Sequence, residues 1–204
     1  MWNPAVPQAG DSIHFPFGET RYTVFLETSV HVSISSIHLS HRAMVNISIS
    51  NTNAEFGPIF EESEVNSLGF NISNSEITFL NNVGTSKWDI FSQDSVVTLS
   101  HCTLGDSTIS LTRSKGVFTS VTSTGIKMIS DASSKLEISD SNLGKLDSHS
   151  PIIFSGLKNV VNTLELNSMI EIGDSKLSIG RFISSHGSFS GTQEGVLNVS
   201  LCEA

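Results

Sequence analysis

The chain is poor in charge, in cations and in cysteine, and each shortage removes a class of function. Only 15% of its 204 residues are charged, and the net charge is −9. The 11 Lys and Arg stand singly. A nucleic-acid binder needs a basic stripe to neutralise phosphates, so nucleic acid is excluded as a partner. No apolar run approaches 18 residues, which excludes a transmembrane helix and membrane insertion by one. The opening residues, Met1-Trp2-Asn3-Pro4-Ala5, have neither a basic nor an apolar region and do not read as a signal peptide. Two cysteines make no disulfide framework. Asn-Gly and Asp-Gly, the tight hairpin signals, are absent. No stretch longer than two turns has helical spacing.

What is present is serine, 37 residues of it, set among regularly spaced Ile, Val, Leu and Phe. That regularity argues against disorder. The stretch Leu136-Glu137-Ile138-Ser139-Asp140-Ser141 gives the template: apolar, any, apolar, Ser, polar, Ser. Phe70–Ser75, Val97–Cys102, Ile170–Ser175, Leu197–Cys202, Val30–Ser35, Val45–Ser50 and Ile109–Ser114 fit it as well, eight copies in all. Alternation this short means short strands. Positions one and three point inward. Position two, always polar, points outward. Position five (Asn74, His101, Arg113, Asp140 and Asp174) is expected in the left-handed backbone region at a bend. The bend flips parity, so the sixth position forms an inward column of small side chains. A weaker landmark, the apolar pairs at Ile59-Phe60, Ile90-Phe91, Met128-Ile129, Ile152-Ile153 and Phe182-Ile183, precedes most copies. Phe60, Phe70, Phe91, Phe118 and Phe154 are expected as an inner stack. Gly84, Gly105, Gly116, Gly125, Gly144, Gly156, Gly173, Gly180 and Gly187 read as turn positions.

Spacings between copies are irregular: 27 residues from Phe70 to Val97 and again from Ile170 to Leu197, elsewhere 34 or 39, and 12 from Val97 to Ile109. The 12-residue step reads as the next side of the same coil. Self-similarity at such periods with strands only means a repeat architecture. Without hairpin turns, propeller blades are disfavoured. The fold class is all-β, a single-stranded right-handed parallel β-helix. Residues 1–28, with Pro4, Pro7 and Pro16, are set apart as an irregular lead-in or partial cap, with Arg21–Leu26 as a first strand. Residues 29–204 form the repeat domain, which ends inside a repeat at Leu201-Cys202-Glu203-Ala204 and is expected to continue or to be truncated there.

This pattern resembles the right-handed parallel β-helix of the pectin-lyase-like superfamily. In style it is closest to the Ser/Asn-rich repeat regions of surface proteins of anaerobic protists and of bacterial autotransporters. The resemblance covers residues 30–204. It implies a surface or secreted location. It also raises pectate lyase and polygalacturonase chemistry, in which clustered Asp, basic residues and a Gly-His-Gly segment act. Ser185-His186-Gly187 lacks the first Gly, Arg181-Phe182-Ile183 is not the basic tripeptide, and no Asp-Asp pair exists.

The remaining catalytic candidates are Glu137 and Glu171, which share the outward position of different copies. One layer apart they would stand about 5 Å from each other, and two layers apart about 9.5 Å. Both separations suit glycoside hydrolysis. Asp140 and Asp174 form a parallel pair. Asn46, Asn71 and Asn198 open N-glycosylation sequons. Trp2, Trp88 and Tyr22 are the aromatics considered for sugar stacking. The seven His are dispersed, His38 and His41 being closest, and no zinc spacing is found. No cofactor or metal is implied. Cys102 and Cys202 occupy equivalent template positions in distant copies, which predicts two free thiols. The expectation is a non-catalytic β-helix segment of a larger surface, adhesive or structural protein, with carbohydrate or protein partners. The alternatives are a polysaccharide lyase or glycoside hydrolase, and a carbohydrate-binding module.

Overall fold

A computed structural model describes residues 10–16, 21–40, 43–61, 67–83, 87–131, 133–184, 188–192 and 194–203. Trp2, Pro4, Pro7, His41, Gly84, Ser185, His186, Gly187 and Ala204 lie outside them. The protein is a right-handed parallel β-solenoid of about nine turns, and among the described residues there is no helix. Two parallel sheets face each other, with 11 and 12 strands among the described residues. Sheet 1 includes Val32–Leu39, Glu76–Leu80, Val96–Ser100, Lys115–Thr119, Lys135–Ser139, Ile152–Ser155 and Met169–Ile172. Sheet 2 includes Arg21–Glu27, Met44–Ser50, Ser67–Ser73, Lys87–Gln93, Ser107–Thr112, Asn142–Ser148, Lys158–Leu166 and Lys176–Ile183. The chain alternates between the sheets, so each coil adds one rung to both.

Alternation within each strand sends every second residue inward, and the ladder stacks like on like. Phe56, Phe79, Leu99, Phe118, Ile138 and Phe154 occupy one inward file of sheet 1. All six are essentially inaccessible to solvent. Burying such a side chain contributes about 1.5–3 kcal/mol. One coil takes 16 to 24 residues, the offsets between Leu136 and Ile152 and between Ser12 and Ser36. Strands Asp11–Phe15 and Arg21–Glu27 pair in parallel with Val32–Leu39 and Met44–Ser50, so the ladder reaches residue 11, inside the segment set apart as a lead-in.

The corners explain the template. Asn51, Asn74, Asp94 and Arg113 leave sheet 2 with φ between 47° and 51°. Asn81, His101, Ser120 and Asp140 leave sheet 1 with φ between 48° and 55°. One left-handed residue turns the chain and reverses its parity, so the next residue points inward. After sheet 2 that residue is Thr52, Ser75, Ser95 or Ser114, each buried. Each hydroxyl donates to the carbonyl two residues back, at 2.6–2.8 Å. The N–H of each donates to the hydroxyl one coil further on, from Thr52 through to Ser134, at 3.0–3.2 Å. The inward column of small residues is therefore also a hydrogen-bond ladder that satisfies the buried corner backbone.

Several readings of the sequence need correction. The template is not one register: Phe70–Ser75 and Ile109–Ser114 end at the sheet 2 corner, and Val97–Cys102, Leu136–Ser141 and Ile170–Ser175 at the sheet 1 corner. The 27-residue spacing therefore joins different sheets, whereas the 12-residue step is one side to the next. Val30–Ser35 is out of frame, since Val30 precedes its strand and is 67% exposed. Val45–Ser50 is out by two residues, the corner being Asn51-Thr52. Leu197–Cys202 lies within one strand and reaches no corner. Asp174 turns without a left-handed φ, through a three-residue turn in which Ser175 N donates to Gly173 O at 2.7 Å. The corner slot also admits Asn82, Val121 and Asn159, not only Ser or Cys. Phe60 and Phe91 lie on the outer surface, the strand-mates of buried Ile59 and Ile90. Gly116, Gly144 and Gly180 are strand residues. At Gly144 a Cβ would overlap the Thr124 carbonyl oxygen one coil away, so glycine is required there by close approach.

Candidate functional site

Glu137 and Glu171 share one outward file of sheet 1, with Ile153 between them. They are thus two rungs apart, about 9.5 Å along the ladder. Glu137 is engaged by two cations: Lys115 Nζ lies 2.7 Å from one carboxylate oxygen and Lys135 Nζ 3.3 Å from the other. The hydrogen bond from Lys115 does most to hold its pKa below the usual carboxylate value, burial opposes it, and the bond from Lys135 adds a lesser lowering. An ionised carboxylate held this way is a poor general acid, which needs a raised pKa. Asp140 is a corner residue: its carboxylate accepts the N–H of Leu157 at 2.7 Å and of Lys158 at 3.3 Å. Asp174 accepts the Thr192 hydroxyl at 2.8 Å. Both tie one coil to the next.

The other charged cluster is also a corner device. Arg113 donates to both carboxylate oxygens of Asp94, at 2.7 and 2.6 Å, and its backbone N–H to Asp131. The Arg113 hydrogen bond lowers the Asp94 pKa, and the Ser134 hydroxyl does most to lower that of Asp131. Among the described residues no group of three or more His, Cys, Asp or Glu converges to hold a metal. His14 and His38 stack at 4.3 Å with Phe60 over His38 at 4.8 Å, and Ser36 shares a 3.0 Å hydrogen bond with His38 Nε2. That ladder was not legible in the dispersed His positions.

Of the aromatics weighed for sugar stacking, Trp88 is buried in the core, and Tyr22 packs on Phe15 with its hydroxyl on Pro16 O. Trp88 offers no free face, and Tyr22 is held partly buried against the core. The exposed aromatics lie elsewhere. One outward file of sheet 2 runs Phe25, Ser48, Asn71, Phe91, Ser110. Phe25 is 77% exposed and Phe91 50%. Together with Glu27, Ser50, Ser73, Gln93 and Thr112 they line a groove of about 390 Å3. Two sequon asparagines meet beside it, Asn71 Nδ2 donating to Asn46 Oδ1 at 3.0 Å. Asn198 is exposed on the last strand. Sequence reasoning missed the groove because Phe91 follows Ile90 in an apolar pair and Phe25 sits between two apolar neighbours. Strict alternation from Val24 or Ile90 would have placed both rings outside.

The chain matches no family model, no curated protein and no solved structure. Function therefore rests on the residues themselves.

The cysteines differ sharply. Cys102 fills a sheet 1 corner slot, buried, its thiol donating weakly to Phe79 O and Ser100 O, and burial raises its pKa. Cys202 is free and exposed beside Phe182, not in a corner slot. A thiol-specific reagent at pH 8 is expected to label Cys202 within minutes and Cys102 only after denaturation. Equal rates on the native protein would contradict the corner assignment.

Proposed function

We propose that the chain is a non-catalytic scaffold segment of a larger surface, adhesive or structural protein, binding glycan or protein partners on its outer faces. The observation that carries this reading is the state of its best catalytic candidates. Glu137 is clamped between two lysines, and an Ile153 side chain separates it from Glu171. An inverting hydrolase needs carboxylates at such a separation, but with a protonatable acid and room for water between them. The likeness in style to the pectin-lyase-like superfamily and its Ser/Asn-rich surface repeats supports the same reading, including a location at the cell surface.

The test is a turnover screen on pectin, pectate and neutral plant and animal glycans, with Glu137→Gln and Glu171→Gln alongside. No product above the protein-free blank is expected for any of the three proteins. Turnover by the parent that vanishes in either variant would replace the scaffold with a lyase or hydrolase.

A further inference from the structure

We propose that the sheet 2 groove between Phe25 and Phe91 binds a neutral, unbranched oligosaccharide. This deepens the reading of the chain as a non-catalytic binding scaffold and rests on it. Phe25 and Phe91 stand three rungs apart in one file, about 14 Å, with only Ser48 and Asn71 between them. Each ring faces solvent instead of the core. Covering both rings at once would remove their apolar faces from water. A sugar ring does so with its C–H face, while its hydroxyls project sideways.

The surroundings fit that chemistry. The lining offers hydroxyls and amides from Ser48, Ser50, Asn71, Ser73, Gln93 and Thr112. Such groups both donate and accept, as sugar hydroxyls do. The Asn46–Asn71 bond fixes one amide and uses only one of its hydrogen-bonding positions. Gly69, two residues before Asn71 on the same outward side, adds no side chain, and a Cβ there would come within 3.1 Å of Asn46 Oδ1. The absent side chain lets the Asn46 amide sit close against the strand and reach Asn71.

The occupant follows from what the groove does not offer. Among the described residues Glu27 is its one charged lining residue, and Asn51 already donates to it at 3.2 Å. With no cation among the described lining residues, a polyuronate or sulfated glycan would enter uncompensated. A peptide would need backbone partners, as at a sheet edge. This is a sheet face, where the backbone groups are spent in the parallel ladder. A protein partner would need a broader apolar centre than two phenyl rings.

The whole chain, produced in a host that does not N-glycosylate so that Asn71 stays bare, is titrated by calorimetry. The probes are cellohexaose, β-1,4-mannohexaose, chitohexaose and hexagalacturonate. At least one neutral hexasaccharide is expected to bind with a Kd below about 1 mM. Phe25→Ala and Phe91→Ala should each weaken it by about tenfold or more, a loss measurable at this affinity. Phe60→Ala, an exposed ring on the other sheet, should leave it unchanged. Hexagalacturonate should not bind. Both groove substitutions are on the outer surface, and circular dichroism verifies that the variants keep the parent fold. Failure of all three neutral hexasaccharides to bind, binding that survives loss of both rings, or preferential binding of hexagalacturonate would each overturn the proposal. Binding accompanied by cleavage would leave the groove standing and remove the non-catalytic reading instead.

Discussion

Replacing Asn159 by leucine, which keeps the heavy-atom branching but not the amide, is expected to destabilise the protein by about 2–5 kcal/mol. Asn159 is fully buried in the sheet 1 corner column. Its Oδ1 accepts the Ser141 N–H at 3.0 Å, and its Nδ2 donates to Ser155 O at 2.7 Å and Ser175 Oγ at 3.0 Å. One amide thus joins three successive coils. Leucine would leave the buried Ser141 N–H without its acceptor, at about 1–3 kcal/mol, and would also forfeit the bonds to the Ser155 carbonyl and the Ser175 hydroxyl. Urea unfolding should show a lower midpoint with an unchanged slope. Val121 already occupies the equivalent slot two coils earlier, where its own N–H donates to Ser141 Oγ at 3.1 Å. An apolar side chain is therefore sterically acceptable in the column, and what leucine removes is the acceptor for the coil before. An unaltered midpoint would mean that the corner ladders are satisfied at no net gain in stability.

How much of this could be read from the amino acids depends on which surface of the backbone a residue faces. Inward positions were legible because each must match the rung above and below. The file through Leu136, Ile152 and Ile170 follows directly from apolar alternation. The bends were legible because a left-handed φ restricts the choice of residue: Asn74, His101, Arg113 and Asp140 all adopt it, with φ between 47° and 54°. The assignment of each copy to a corner was not legible. Both corners impose the same demand, one left-handed residue followed by a small inward one, so Phe70–Ser75 and Leu136–Ser141 look alike while ending on different sheets. Coil length was hidden for the same reason. The outer faces are the least legible, since solvent there accepts many side chains and no close packing dictates the choice. Phe91 there reads as core, and Glu137 reads as a site until Lys115 and Lys135 are seen on either side of it.

Truncating Phe79 to alanine is expected to cost about 3–5 kcal/mol, and to do so locally. Phe79 is 1% exposed and touches three other rings. It stacks on Phe56 at 5.3 Å, meets the edge of Phe70 at 4.6 Å and lies 5.3 Å from Trp88. Phe56 and Phe79 come from sheet 1, Phe70 and Trp88 from sheet 2, so this cluster joins the two walls across three consecutive coils. Among the described residues the Trp88 indole N–H has no hydrogen-bond partner, which makes aromatic packing the main return on burying it. In a solenoid each coil contacts only its neighbours, so stability is a sum of coil and interface terms. Loss of Phe79 should therefore loosen the coils around it and spare distant ones. Amide hydrogen exchange should quicken across Met44–Ser50, Asn53–Phe56, Ser67–Ser73 and Glu76–Leu80. Protection should persist in Lys135–Ser139, Lys158–Leu166 and Lys176–Ile183, where the Leu136, Leu164 and Leu177 side chains pack without reference to the ring cluster. Uniform acceleration along the whole chain would show a single cooperative unit instead, with the corner ladders transmitting the loss from coil to coil. The Asn159 variant probes that transmission from the opposite end: if the ladders couple the coils so tightly, its effect should reach Glu76–Leu80 as well.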